Sequence, residues 1–332
     1  MIRKVCLVLI FALGIIPVSV MAADTCENHV TAPIDQYELA LKRASDNKKT
    51  PAMGKKVYNA LTAAYDAVGM NQQNKALELL DKISDEKISS YETVQIENYY
   101  AYVYFSMDNY PRAIEAYNNL LSNRALPVET GTQTLYTLAQ MNILEEHYCD
   151  GIKIAKLFLK VTGETGKDKY AKSRANTNKL IAQAYYSLDD YTNSNLYIDK
   201  AIQLKQKAGE TISESLYQME YLNYFELNDM EKAIESLESM KTNYPRSEML
   251  IHLAWAYDKV GRHEDSEAML DYLVKNDIVD KNSYVVTLAD IMRKNNQAKE
   301  ACNLLREKFG KDAKSKLSKD SDLYAECYLI QS

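Results

Sequence analysis

Apolar residues return at helical intervals along most of the chain, and the pattern is clearest over residues 94–124, VQIENYYAYVYFSMDNYPRAIEAYNNLLSNR. Ala101 and Tyr104 share one face of a first run with Glu97 and Tyr100, and Ala113, Tyr117 and Leu120 recur at i, i+4 and i+7 in a second. Asp108-Asn109 separates the two runs. The stretch predicts two short amphipathic helices joined by a turn. Ala101 and Ala113 are small enough to let the helix axes approach closely, and Tyr104 and Tyr117 fill the space above and below the crossing.

The two-helix pattern then repeats. Placed by its small residues, it starts near Val57, Val94, Thr132, Ala175, Glu214, Ser247 and Asn282, at steps of 33 to 43 residues. The facing small residues are Ala64 and Ala76, Ala101 and Ala113, Ala139 and Gly151, Ala182 and Ser194, Ala254 and Ser266, and Ala289 and Ala301. The fifth unit departs from the pattern, because Tyr221 stands opposite Ala233 and should push the helices apart or shift the register. Glycine (10) and proline (6) are scarce, which favours helix throughout.

This arrangement resembles the tetratricopeptide repeat (TPR) family, whose helix-turn-helix unit is about 34 residues long. The resemblance implies an all-α, right-handed α-solenoid of about seven TPR-like helix pairs over residues 57–312. Each pair leaves an apolar face that only its neighbours can cover, so stacking completes the core. Residues 24–56 are expected to be an N-terminal extension and capping helix. A helix over residues 317–329, within the segment 313–332, is expected to cap the other end.

The first 23 residues have a different character. Arg3-Lys4 precedes an apolar run from Val5 to Val18 broken by Pro17, and Val20-Met21-Ala22 offers a cleavage site with Ala23 as neighbour. The run falls short of the roughly 20 residues of a membrane helix, so a cleaved signal peptide and a periplasmic mature chain are expected. No Cys directly follows the small residues, which argues against a lipoprotein, and no second apolar run suggests insertion after cleavage. Without Arg3 and Lys4, 38 basic residues face 46 acidic ones. That balance argues against nucleic acid or anionic lipid as the main partner.

Four cysteines remain, Cys26, Cys149, Cys302 and Cys327, and export favours disulfides among three connectivities. With the repeats placed as above, Cys302 lies on the last unit's second helix and Cys327 on the helix beside it; this pairing is favoured, and Cys26 with Cys149 follows. Cys26-x-x-His29 and His147-x-Cys149 could alternatively offer four zinc ligands, but the disulfide is the better reading.

Catalytic signals are thin. The four histidines, His29, His147, His252 and His263, show no metal or triad spacing. Gly163-Glu164-Thr165-Gly166-Lys167 has two residues between its glycines where a phosphate loop needs four, and Asp168 stands where Ser or Thr is required. It reads as the linker behind the 43-residue step. Asp189-Asp190 and Glu145-Glu146 fall at turns. No enzyme, metal or cofactor is expected.

Tyrosine is abundant, 26 against five Phe and one Trp, so bulk at helix crossings often carries a hydroxyl. In the TPR family the fifth, ninth and twelfth positions of each first helix line a concave surface. Carried onto this chain, those positions give seven aromatic and only four charged residues among twenty-one. The resemblance thus implies a partner-binding face of Tyr65, Tyr102, Phe105, Tyr136, Gln140, Gln183, Tyr186, Phe225 and Trp255. Such a face suits a peptide or protein partner. The exported start, the unit spacing and segments such as NYPRAIEAYNNLL and MLIHLAWAYDKVGRHEDSEAMLDYL are also similar to exported repeat proteins encoded with TonB, ExbB and ExbD in gamma-proteobacteria. That likeness implies a partner in the TonB system. The second expectation is a regulatory or assembly subunit docking on an envelope-biogenesis or cell-wall enzyme.

Overall fold

A computed structural model describes residues 26, 32–46, 52–123, 125–164, 168–278, 282–310 and 327. All regular structure among them is helical. After a first helix, α1 (Ile34–Asp46), fourteen helices form seven antiparallel hairpins: α2 (Lys55–Gly69) with α3 (Gln73–Ser84), α4 (Ser90–Ser106) with α5 (Tyr110–Ser122), α6 (Val128–Leu144) with α7 (Tyr148–Glu164), α8 (Ala171–Ser187) with α9 (Tyr191–Lys207), α10 (Glu214–Glu226) with α11 (Met230–Asn243), α12 (Ile251–Lys259) with α13 (His263–Lys275), and α14 (Asn282–Lys294) with α15 (Ala298–Phe309). Each helix from α2 to α15 packs on the next in sequence. The first helices of neighbouring hairpins also touch, as in α2 with α4, α6 with α8 and α12 with α14. These first helices are called A below, and their partners B.

One turn recurs inside all seven hairpins. Asn71, Asp108, Glu146, Asp189, Asn228, Gly261 and Asn296 each hold a left-handed backbone just after helix A. The N–H of the following residue reaches back to a carbonyl five residues earlier, as in Gln72 to Ala67, Asn109 to Tyr104 and Gln297 to Met292. This bond satisfies a carbonyl left without a partner at the helix end. Asn, Asp and Gly tolerate the left-handed region; Glu146 is the exception. Asn109, Asp190 and Asp229 then cap helix B by accepting from the backbone N–H three residues on. The acidic pair Asp189-Asp190 is therefore a turn residue and a cap.

The paired small residues lie at the crossings and are buried. Ser194 and Ser266 donate to the carbonyls of Ala182 and Ala254, 2.9 and 2.8 Å away. Gly151 has no room for more: an added Cβ would lie 2.4 Å from Ile143 Cγ1 and 3.2 Å from the Ala139 carbonyl oxygen. Tyr221 stays buried in the fifth hairpin, its ring against His252 of the next hairpin and Phe225 of its own helix.

The apolar core has two parts among the described residues. One joins the first hairpin to Ile96 and Val103 of α4, and the other runs from Tyr37 and Val94 to Phe309 and Cys327. The N-terminal helix departs from its expected place. Rather than covering the open end of the array, α1 packs chiefly on α5, α6 and α7. Its stripe of Tyr37, Ala40 and Leu41 is buried there. Tyr37 donates to Asn118 Oδ1 at 2.6 Å, the Ala32 N–H donates to Asp150, Lys160 pairs with Glu38, and Cys26 is bonded to Cys149. Cys302 is bonded to Cys327. The expected signal peptide and the helix over 317–329 lie outside the described residues, apart from Cys327. No described helix is long and apolar enough to cross a membrane.

Candidate functional site

The A helices turn one face away from their B partners, and the aromatic residues expected there gather in two places. At the first, Tyr65 of α2 stacks on Tyr102 of α4 with ring centroids 5.9 Å apart and planes 18° from parallel. Tyr65 is 56% exposed and Phe105, one turn beyond Tyr102, 47%. A cleft of about 270 Å³ opens beside the pair, lined by Tyr65, Asn98, Tyr99, Tyr102 and Tyr117. Burial raises the pKa of Tyr99, with Tyr65, Tyr58 and Tyr102 adding to the shift. Among the described residues the lining carries no charge. Among the described residues the hydroxyls of Tyr58, Tyr65, Tyr99 and Tyr102 make no hydrogen bond, which leaves them for water or a ligand.

At the second place, Phe225 of α10 packs on Trp255 of α12 with centroids 5.6 Å apart, and Lys259 lies over the Trp255 ring at 5.6 Å. Tyr221 and His252 continue this cluster inward. His252 is mostly buried, and desolvation pushes its pKa down to about 4. Tyr186 of α8 sits edge-on to Tyr191. Its pKa is raised by burial first and then by Glu226 and Asp189, which places a carboxylate of α10 near it.

The remaining expected residues separate. Tyr136 is half-buried, packing on Phe158 of α7 at 5.4 Å rather than on a neighbouring A helix. Gln140 and Gln183 are exposed on α6 and α8 between the two clusters. The ninth positions face solvent in the first four hairpins, whereas the fifth-position residues Leu61 and Ile251 belong to the core. Tyr58 and Tyr99 were not anticipated. They occupy the second and sixth positions of their units; the aromatic density of ENYYAYVYF is a signal for Tyr99, and no pattern marks Tyr58.

Other candidate chemistry dissolves into structure. Cys26 and Cys149 are joined to each other, and His29 lies outside the described residues. Gly163 and Glu164 end α7, while residues 165–167 lie outside the described residues. Among the described residues no group of three or more His, Cys, Asp or Glu could hold a metal.

The tetratricopeptide repeat family model matches residues 222–247, the part of the fifth hairpin that begins just after Tyr221. The fold is shared with the C-terminal part of a TPR repeat-containing protein from Cytophaga hutchinsonii, with TM-score 0.57, 14% identity, and coverage of 78% of this chain and 99% of that one. It also resembles a signal transduction ATPase with numerous domains from Pyrococcus horikoshii that carries a tetratricopeptide repeat sensor. There the TM-score is 0.52 and the identity 16%, over 83% of this chain and 43% of that one. No curated protein matches in sequence. These likenesses establish an all-α fold of stacked TPR hairpins.

Proposed function

We propose that the chain is a non-enzymatic periplasmic scaffold that holds a protein or peptide partner along its A-helix face, as an accessory of TonB-dependent transport. The observation that carries this reading is the Tyr65–Tyr102 stack, a partly exposed ring pair shared by two hairpins above an uncharged cleft. Rigid aromatic anchors supply large contact area at little cost in side-chain entropy, and free hydroxyls fix the register of a backbone laid across them. Phe225 and Trp255 offer a second anchor on the same row of helices. Export is supported by the apolar leader and by two cysteine pairs at bonding distance, an arrangement suited to an oxidising compartment. The TonB assignment rests on the resemblance of the start and of the two repeat segments.

A photoreactive residue at Gln140 or Gln183, followed by crosslinking in intact cells and mass spectrometry, tests the partner. Capture of a TonB-system component is expected; capture of an envelope-biogenesis or cell-wall enzyme would make the protein a regulatory or assembly subunit instead. Tyr65→Ala with Tyr102→Ala, or Tyr186→Ala with Trp255→Ala, should abolish capture while helical content is kept. Unfolding of either double variant would assign those rings to packing. Fractionation should recover a chain cleaved after Ala22 or Ala23 from the periplasm, and a cytoplasmic full-length chain would refute export.

A further inference from the structure

Charge is distributed unevenly along this acidic protein. Residues 151–207, which span α7 to α9, hold eleven Lys and Arg against five Asp and Glu, so they are net positive while the whole chain is at −6. Three of these cations, Lys160, Lys169 and Lys205, are paired with Glu38, Glu129 and Glu210. Three others meet at a cleft of about 270 Å³ between α7, α8 and α9, where Arg174, Lys200 and Lys207 line the walls with Gln203, over a floor that includes the buried Asn178. Among the described residues none of the three pairs with a carboxylate and no acid lines the cleft.

The cations are partly pre-positioned. Arg174 is held by donation to the Thr162 carbonyl at 3.2 Å, which leaves most of its fork free, and Lys200 lies 4.2 Å from the centre of the Tyr197 ring. Burial also leaves the Asn178 side-chain oxygen without a donor, while its amide donates to the Arg174 carbonyl at 2.8 Å.

From this convergence we propose that the cleft binds a phosphate group, free or carried on an ester. Guanidinium and ammonium donors on three sides match several phosphate oxygens, whereas the Asn178 oxygen, an acceptor, makes no bond to the anion. The volume is that of a head group rather than an extended acidic segment. Five of the seven lining residues belong to α7 or α9, both B helices, so the site is separate from the aromatic face and stands or falls independently of it.

The test uses the mature full-length protein at low ionic strength, titrated with inorganic pyrophosphate and followed by amide chemical shifts. Saturable shifts centred on α8 and α9 are expected, weakening as salt rises to about 0.15 M. Both lysines are exposed, so Lys200→Gln with Lys207→Gln should keep the helical content and weaken binding at least about tenfold, as loss of two charge-assisted contacts demands. Because Lys200 also touches Tyr197, Lys207→Gln alone provides the second variant, with a loss of about threefold to tenfold expected. Vesicles containing phosphatidylglycerol distinguish the sources. Sedimentation with them that pyrophosphate competes away assigns a lipid head group, and pyrophosphate binding without sedimentation assigns a soluble phosphate. The proposal is overturned by no saturable shift, by shifts centred elsewhere, by binding that survives Lys207→Gln unchanged, or by preference for a glutamate-rich peptide over pyrophosphate.

Discussion

The side-chain amide of Asn223 in α10 donates a 2.8 Å hydrogen bond to the hydroxyl of Ser194 in α9, and both residues are wholly buried. Asn295 repeats the bond to Ser266 at 2.9 Å, over the same interval of 29 residues. Each serine also donates to the small residue it faces in its own hairpin. One hydroxyl thus ties helix A to helix B and the hairpin to its successor. Removing it leaves one N–H of a buried amide without its acceptor and takes one donor from a buried carbonyl, at a cost of roughly 1–3 kcal/mol. Ser194→Ala should lower the urea midpoint accordingly, and Asn223→Ala, which also loses a bond to Asn195, should cost as much or more. A double-mutant cycle should give a coupling of at least about 0.5 kcal/mol. Simple additivity would show that the geometry contributes nothing to stability.

Gly151 occupies the same structural position as Ser194 and Ser266, yet it should tolerate no side chain. The obstacle is local, because Ile143 of α6 fills the space that the methyl group would need. Gly151→Ala is expected to destabilise the third hairpin by about 1–3 kcal/mol, the range for overpacked cores. Shortening the obstructing side chain with Ile143→Ala should return part of the loss. If Gly151→Ala instead raises the thermal midpoint, as relief of glycine's entropy cost would, the crossing is looser than described.

The hairpins were legible in the sequence for a physical reason: a helix crossing demands a small residue on each rod, and that demand recurs in every unit. Six of the seven pairs are small on both sides, and Ala64, Ala101, Ala139, Ala182, Ala254 and Ala289 are all buried. The place of α1 was not legible, since its amphipathic stripe says that one face is covered but not by what. Its partners Asn118 and Asp150 are distant in sequence. Burial on the A face was half legible. Family positions located Tyr65, Tyr102 and Phe225, but whether a ring such as Tyr136 points outward depends on Phe158 of the opposing helix, a contact that no single-helix pattern encodes. Tyr221 shows the opposite case: a large ring at a small position is accommodated against His252 of the neighbouring hairpin.

His252 makes the fifth and sixth hairpins sensitive to acid. Its pKa is depressed to about 4 by burial, whereas an unfolded histidine titrates near 6.5. Between these values the unfolded chain binds the extra proton, so stability falls as pH drops from about 6.5 to 4, by on the order of 3 kcal/mol from this group alone. Glu220, raised by burial despite its bond from Ser236, works in the opposite direction by holding a proton in the folded state. His252→Phe should therefore flatten the fall in stability over this range. Trp255, the only tryptophan, packs one turn away and reports the region through its fluorescence. An unchanged acid slope in His252→Phe would assign the effect to other groups.

Gly131 provides the seat for α1. A Cβ there would lie 2.6 Å from Leu41 of α1 and 2.8 Å from Leu126, and both leucines are buried. Leu126 is confined by the hairpin junction, so Leu41 should yield and α1 should lift. The Cys26–Cys149 bond opposes that by tethering the chain just before α1 across 123 residues of sequence. Gly131→Ala should therefore speed amide exchange in residues 34–43 only modestly while the disulfide is intact, and strongly when Cys26→Ser removes it. The hairpins from α8 onward make no comparable contact with α1 and should keep their protection, as expected of a stack held together by nearest neighbours. Equal loss of protection in α12–α15 would mean that α1 is part of one cooperative unit spanning the array, and the local clasp would be refuted.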